Sequence, residues 1–214
     1  MRKVLRFLLW TAIIVGAIVG LARATAIRWV KIPMGDPYLE ASIAPTLRGG
    51  DTVILWRLTK PGFGDLVVCP EPDAPERVVI ARIAAEEGDH IRVDGSILNV
   101  NDRAAETETA CSERDFSVIH PTTGQEIHQT CSIEAVGGHS HMRGSTGGHG
   151  VLPPPVDRKV EPGKVFLLSD NRLLPYDSRD FGLVDRDSCT ETVAFRLFSK
   201  DGFFDEKGRF TFIR

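Results

Sequence analysis

Glu40-Ala41-Ser42-Ile43-Ala44-Pro45-Thr46-Leu47-Arg48-Gly49-Gly50-Asp51 runs straight into the β-branched and aromatic segment Thr52–Trp56. Pro45 fixes its own φ and disfavours helix at Ala44, which predicts an extended or turning backbone around Ser42. In such a backbone the Ser42 hydroxyl is either presented as a nucleophile or is a turn serine ahead of a strand. Outward from this stretch, strand-like runs recur at short intervals: Thr52–Leu58, Asp65–Cys69, Arg77–Ala84, His90–Val93 and Ile97–Val100, separated by Pro-Gly, Gly-Asp and Asp-Gly turns. Val165–Leu168, Thr192–Phe198 and Arg209–Ile213 continue the pattern towards the C-terminus. Helical periodicity is nearly absent beyond Met1–Lys31. The expected fold class is therefore mainly β: coiled antiparallel sheet after an N-terminal helix, with an inserted β-rich subdomain.

The chain has 214 residues, 42% hydrophobic and 26% charged, enough to bury a core in one domain with an appended part. A net charge of −3 without a basic stripe sets nucleic acid aside as a partner. The strongest single signal is N-terminal: Met1-Arg2-Lys3 leads into Phe7–Ala22, which is uncharged and flanked by Arg6 and Arg23. With Val4–Leu5 and Ala24–Val30 extending it, this segment predicts a transmembrane helix held in a lipid bilayer. A removable signal peptide, cut among the small residues of Ala22–Ala26, is the competing reading. Arg2, Lys3 and Arg6 on one side are balanced by Arg23, Arg28 and Lys31 on the other, and only the terminal amine tips the balance towards a cytoplasmic N-terminus. The expectation is a single-pass membrane protein whose remaining residues are exported. Residues 1–31 are assigned to the anchor, 32–100 and 162–214 to the β domain, and 101–161 to the insertion. Ile32–Pro37 is read as a helix-averse tether.

Within the insertion, Phe116–Ile119 and Gln125–Ile127 flank a Thr-Gly turn and read as a hairpin, and the Gly-His-rich stretch Gly137–Gly150 reads as a mobile loop. Cys111 and Cys131 bracket the hairpin, so in an exported chain a disulfide is preferred there. Cys69 and Cys189 lie in apolar, strand-like surroundings and are read as buried free thiols. His139, His141 and His149 lack the partners of a metal site, so neither metal nor cofactor is expected.

Ser169-Asp170-Asn171-Arg172-Leu173-Leu174-Pro175-Tyr176-Asp177-Ser178-Arg179-Asp180-Phe181-Gly182 packs charge densely between a buried strand and Phe-Gly. Such a loop is expected to be knit by charge-assisted hydrogen bonds beside a cleft. Together with the anchor, Ser42-Ile43-Ala44-Pro45-Thr46-Leu47 before Gly50-Asp51, Gly64-Asp65-Leu66-Val67-Val68, and Ile80-Ala81-Arg82 before Gly88-Asp89, it makes the chain resemble bacterial signal peptidase I over nearly its whole length. The resemblance implies a Ser–Lys dyad: a desolvated, neutral lysine accepts the serine proton, and the serine attacks the peptide bond after a small residue. It places Ser42 as nucleophile and Asp170, Asn171, Arg172, Asp177, Ser178 and Arg179 as the brace beneath it. An extended signal-peptide or pilin-like segment is expected to add to strands at Val78, Val79 and Ile80 and at Gly35–Ala41.

The departures are as informative. The lysine position holds Ala81, and Arg82 cannot serve because neighbouring strand residues face opposite ways and a guanidinium stays protonated. Glu40 stands where many family members have an oxyanion donor, and Pro175 where a hydroxyl orients the lysine. The expected function is therefore a signal-peptidase relative that binds exported preproteins or signal peptides, or assists an active signal peptidase, with its own catalysis impaired. The alternatives are an active peptidase using Glu40, Lys60, Lys159 or Lys164 as base, and a structural envelope protein.

Overall fold

The structure, a computed structural model, describes residues 2–145 and 153–213. Its first element, α1 (Arg2–Thr25), is exposed along nearly its whole length and is long and apolar enough to cross a membrane. At 1.5 Å per residue it spans about 36 Å, against about 30 Å for a hydrocarbon core. One residue later begins β1 (Ile27–Lys31), which pairs antiparallel with β2 (Thr52–Trp56) from Ile27↔Trp56 to Lys31↔Thr52. Residues assigned from sequence to the end of the anchor thus form a strand of the sheet, where Ile27, Trp29 and Val30 supply β propensity.

The tether reading also changes. Asp36 caps the short helix α2 (Pro37–Ser42), its side chain accepting from the Tyr38 and Leu39 N–H groups at 3.1 Å each, and Pro37 occupies the first turn. Ser42 is consequently the last residue of a helix and not part of an extended segment, and Gly35–Ala41, expected as a strand for an added segment, is largely helix. Pro45, joined to Ala44 by a cis peptide, then turns the chain towards β2.

The remaining strands are β3 (Leu66–Pro70), β4 (Val78–Glu86), β5 (His90–Asp94), β6 (Ile97–Val100), β7 (Arg103–Ala104), β8 (Glu106–Ile119), β9 (Glu126–Val136), β10 (His139–Ser145), β11 (Val156–Lys159), β12 (Lys164–Leu168), β13 (Val184–Asp185), β14 (Glu191–Phe198) and β15 (Thr211–Phe212). A second short helix, α3 (Ser178–Phe181), lies between β12 and β13. The main sheet has the order β1-β2-β14-β3-β4-β12-β13, with β15 also paired to β14. A three-stranded sheet, β10-β9-β8, and a four-stranded one, β11-β5-β6-β7, complete the fold. Strand alternation divides the core between the two sides of β4. Ile80 packs with Leu39, Ile43, Leu47 and Leu66, whereas Val79, Ala81 and Ile83 pack with Val67, Val165 and Leu167.

Two sequence expectations in the insertion and the sheet are corrected. Gly137 and Gly138, with φ of 58° and 84°, form a two-residue hairpin turn, and His139–Ser145 returns along β9 as a third strand. This part of the expected mobile loop is ordered sheet; His149 lies outside the described residues. Cys69 and Cys189 are not free thiols: they form a disulfide tying β3 to the segment before β14, with Cα atoms 4.5 Å apart. Cys111 and Cys131 are bridged as expected. Buried, apolar surroundings are shared by inert thiols and by cystines, so local composition could not separate the two.

The Cys69–Cys189 bridge closes a separation of 120 residues. Replacing both cysteines by alanine is expected to lower stability by about 2–5 kcal/mol. Denaturant unfolding of the full chain in detergent measures this, and an unchanged midpoint would show that the bridge adds no net stability.

Candidate active site

Ser42 is 2% exposed, and its Oγ donates one hydrogen bond, to Leu39 O at 3.0 Å. This is the local back-bond that serine makes at a helix end; the Ile43 N–H shares the same acceptor at 3.2 Å. Among the described residues no lysine, histidine or carboxylate is hydrogen-bonded to Ser42 Oγ. Lys60 pairs with Asp187 at 2.6 Å, Lys164 pairs with Asp185 at 2.7 Å, and Lys159 sits on β11 in another sheet. Glu40 turns away as well: its Oε1 accepts from the Gly35 N–H at 2.6 Å, beside the serine segment. Ala81 is fully buried among Val67, Val79, Ile83 and Leu167, with Tyr176 against the same cluster.

The charged loop is what holds the serine segment in place. The Asn171 N–H donates to Ser42 O at 3.1 Å, and Asn171 Nδ2 donates to Ala41 O at 2.8 Å. Asn171 Oδ1 in turn accepts from the Leu173 and Leu174 N–H groups, which locks its amide orientation. Asp170, 1% exposed, receives a two-pronged bond from Arg82 at 2.7 and 3.2 Å and a hydroxyl bond from Thr46. Arg82 is therefore tied to the charged loop under the serine segment. Asp177 accepts from Arg179 through both carboxylate oxygens, from the Arg179 N–H and from the Ser169 N–H. Burial pushes its carboxyl up, but the Arg179 guanidinium and these N–H donors win and hold it below the usual carboxylate range. Ser178 Oγ accepts from the Leu167 N–H at 2.9 Å, so it ties β12 to α3.

Arg172 finds a partner that the sequence did not disclose. Its guanidinium bonds Ser169 O and the Glu134 carboxylate, and Glu134 lies on β9 in the insertion. Burial alone would raise the Glu134 carboxyl. Arg172, with help from Arg143, overrides that and holds it down at about 2. His141 Nε2 lies 3.3 Å from Glu134 but off the hydrogen-bonding line, and burial lowers its pKa. Backbone pairing completes the seam: Gly144 N donates to Asp170 O at 2.9 Å, and the Arg172 N–H donates to Gly144 O at 3.0 Å. A Cβ at Gly144 would come within 2.7 Å of the tip of the Phe116 ring and 3.3 Å of Pro45, so a side chain here would have to displace the ring from the seam.

Val78, Val79 and Ile80 lie on β4, one edge of which is open from Val78 to Ala81: β12 reaches only as far as Arg82 among the described residues. The Glu71 N–H donates to Arg77 O at 3.0 Å and the Ile83 N–H to Asp65 O at 3.1 Å, which fixes the phase of the β3–β4 ladder. Alternation then turns the backbone of Val79 and Ala81 towards β3 and that of Val78 and Ile80 towards the open edge. The Val79 side chain is 1% exposed, while that of Val78 is 41% exposed.

The model of the family described as signal peptidase, peptidase S26, matches residues 4–198. The chain belongs to the signal peptidase S26 family. A comparison with the curated proteins finds no match. A crystal structure of a signal peptidase I from Enterococcus faecalis is similar at 20% identity, covering 63% of this chain and 97% of that one, with a TM-score of 0.36. That likeness is too slight to argue from, and membership rests on the family match. The mainly β architecture behind an apolar N-terminal helix is the one expected of a member. Sequence reading did not find Glu134, His141 or Gly144 as supports of the loop; only the unusual charge of the 169–182 segment hinted that outside partners were needed.

Glu134→Gln leaves Arg172 buried without a counter-charge, and the expected loss is about 3–5 kcal/mol of stability. In the native protein the Glu134 carboxyl titrates below its ordinary value of 4.5, so its contribution is present above pH 4.5 and is lost as pH falls towards about 2. Urea unfolding of both proteins across this range checks it: the Glu134→Gln variant should show a shallower acid decline than the native protein.

Proposed function

We propose that this family member binds the signal-peptide region of exported preproteins along the open edge of β4 and has little or no peptidase activity of its own. The observation that carries the reading is the Ser42 hydroxyl, whose one hydrogen bond goes to a backbone carbonyl; the family resemblance puts the dyad lysine at position 81, which here is a buried alanine. General-base assistance is worth about 10²–10⁴-fold, and a serine without it is a poor nucleophile. The brace of Asp170, Asn171, Arg172, Asp177, Ser178 and Arg179 is intact, which keeps the serine segment and β4 in register for binding. Strand addition suits the outward backbone groups of Val78 and Ile80, with the Val78 side chain free for contact.

In this reading α1 anchors the protein in the inner membrane and the β domain stands on its outer, oxidising side. Two disulfides and no free cysteine fit that compartment. An active signal peptidase acting on the same clients is the natural partner for a protein that holds them without cutting.

Purified full-length protein in detergent is expected to leave an Ala-x-Ala preprotein uncut at the same background rate as its Ser42→Ala variant; turnover that disappears with Ser42→Ala would overturn the reading. Both proteins should bind the corresponding signal peptide equally, and Val78→Pro, which removes an outward N–H, should bind it more weakly by fluorescence anisotropy. Ala81→Lys is expected to restore little cleavage, because the new amine enters a closed apolar cluster and Pro175 offers it no hydroxyl. Robust activity from that one change would show that the rest of the catalytic site is intact.

A further inference from the structure

Helix α2 is wedged between two strand edges. Leu39 and Ile43 pack on Ile80 of β4, while Ala41, roughly 200° around the helix from Leu39, packs with Leu173 and Leu174 against Val118 of β8. On the β8 side there is a groove of about 680 Å³ between Ala41, Ala44 and Pro45 of the serine segment and Asp115–Ile119 of the strand. Among the described residues β8 pairs with β9 alone, so its other edge is open.

The phase of that edge can be read. The His120 N–H donates to Gln125 O at 2.7 Å, and the register runs without a slip from Ile119↔Glu126 to Asp115↔Thr130. Antiparallel alternation therefore points the backbone of Phe116 and Val118 at β9 and that of Asp115, Ser117 and Ile119 outward. Exposed edges are ordinarily protected by charge, proline or a cover. The earlier part of β8 carries Glu106, Glu108, Glu113, Arg114 and Asp115, but Phe116-Ser117-Val118-Ile119 has neither charge nor proline.

We infer that this groove seats the downstream part of the same polypeptide whose upstream residues lie on β4, added to β8 as a further strand; the inference rests on the binding function proposed above. Continuity supports it, because α2, the helix that ends at Ser42, packs on β4 on one side and on β8 on the other, so that a chain leaving the first strand past the serine segment reaches the second. The charges lining the groove, Arg48 and Lys200 against Glu40 and Asp115, sum to zero. Recognition is thus through the main chain and tolerant of side chains, which suits a segment that differs from one exported protein to the next.

The test uses the full-length protein in detergent with two synthetic peptides, one ending at the second alanine of an Ala-x-Ala junction and one continuing past it as an extended segment. The longer peptide should bind about tenfold more tightly, and Ser117→Pro should abolish that advantage without changing the affinity of the shorter peptide. In the native protein the longer peptide alone should slow hydrogen exchange at the Ser117 and Ile119 amides, a readout independent of how well the variant folds. Equal affinity of the two peptides with unchanged exchange overturns the inference while leaving the β4 site standing. Failure of both peptides to bind removes the binding reading itself. Protection of the same amides that grows with protein concentration in the absence of peptide would assign the edge to a second copy of the chain and overturn the inference.

Discussion

The buried carboxylate of Asp170 is the constraint on which this molecule turns. An ionised carboxylate held away from water survives only if its charge is answered on the spot, and Arg82 from β4 and Thr46 from the serine segment both answer it. Three pieces of chain far apart in sequence are thereby forced to one point. The open edge of β4, the end of α2 and the loop after β12 keep their relation because none can move without stranding a charge. Asn171, next in the chain, then reaches the carbonyls of Ala41 and Ser42 from a fixed position.

A second buried charge extends the same logic into the inserted sheet. Arg172 could not remain inside on backbone acceptors alone, and Glu134 supplies its counter-ion from β9. The three-stranded sheet is thus more than an appendage: through Glu134 and Gly144 it forms one wall of the serine region. That also explains why its strand β8 comes to lie alongside α2, facing the serine segment across a groove.

Under the proposed reading the dyad lysine's position is filled by Ala81, inside an apolar cluster, while the buried ion pairs nearby are in place. A lysine on β4 must be desolvated to act, and the Ala81 position is desolvated, closed around a methyl group by Val67, Ile83 and Leu167. The apolar environment that tunes a base is here simply core. The buried ion pairs tie separate segments of the fold together, whereas alanine at position 81 packs into the apolar core and brings no charge that has to be answered.

The sequence alone determined what depends on neighbours along the chain. The apolar N-terminal helix, the short strands from β2 to β6, and the Ser42 and Asp170–Arg179 motifs are all local signals of hydrophobic period, turn residue or residue order. Asp36-Pro37 and Gly137-Gly138 were equally local, a cap with its first-turn proline and a hairpin turn, and were readable by the same rules. Only the tertiary structure decided which charge answers which. Arg172 with Glu134, Cys69 with Cys189, and the side of β4 on which Ala81 is buried all depend on strands brought together over long stretches of chain. Local composition says that a buried charge or cysteine needs a partner; the geometry of sheet packing chooses it.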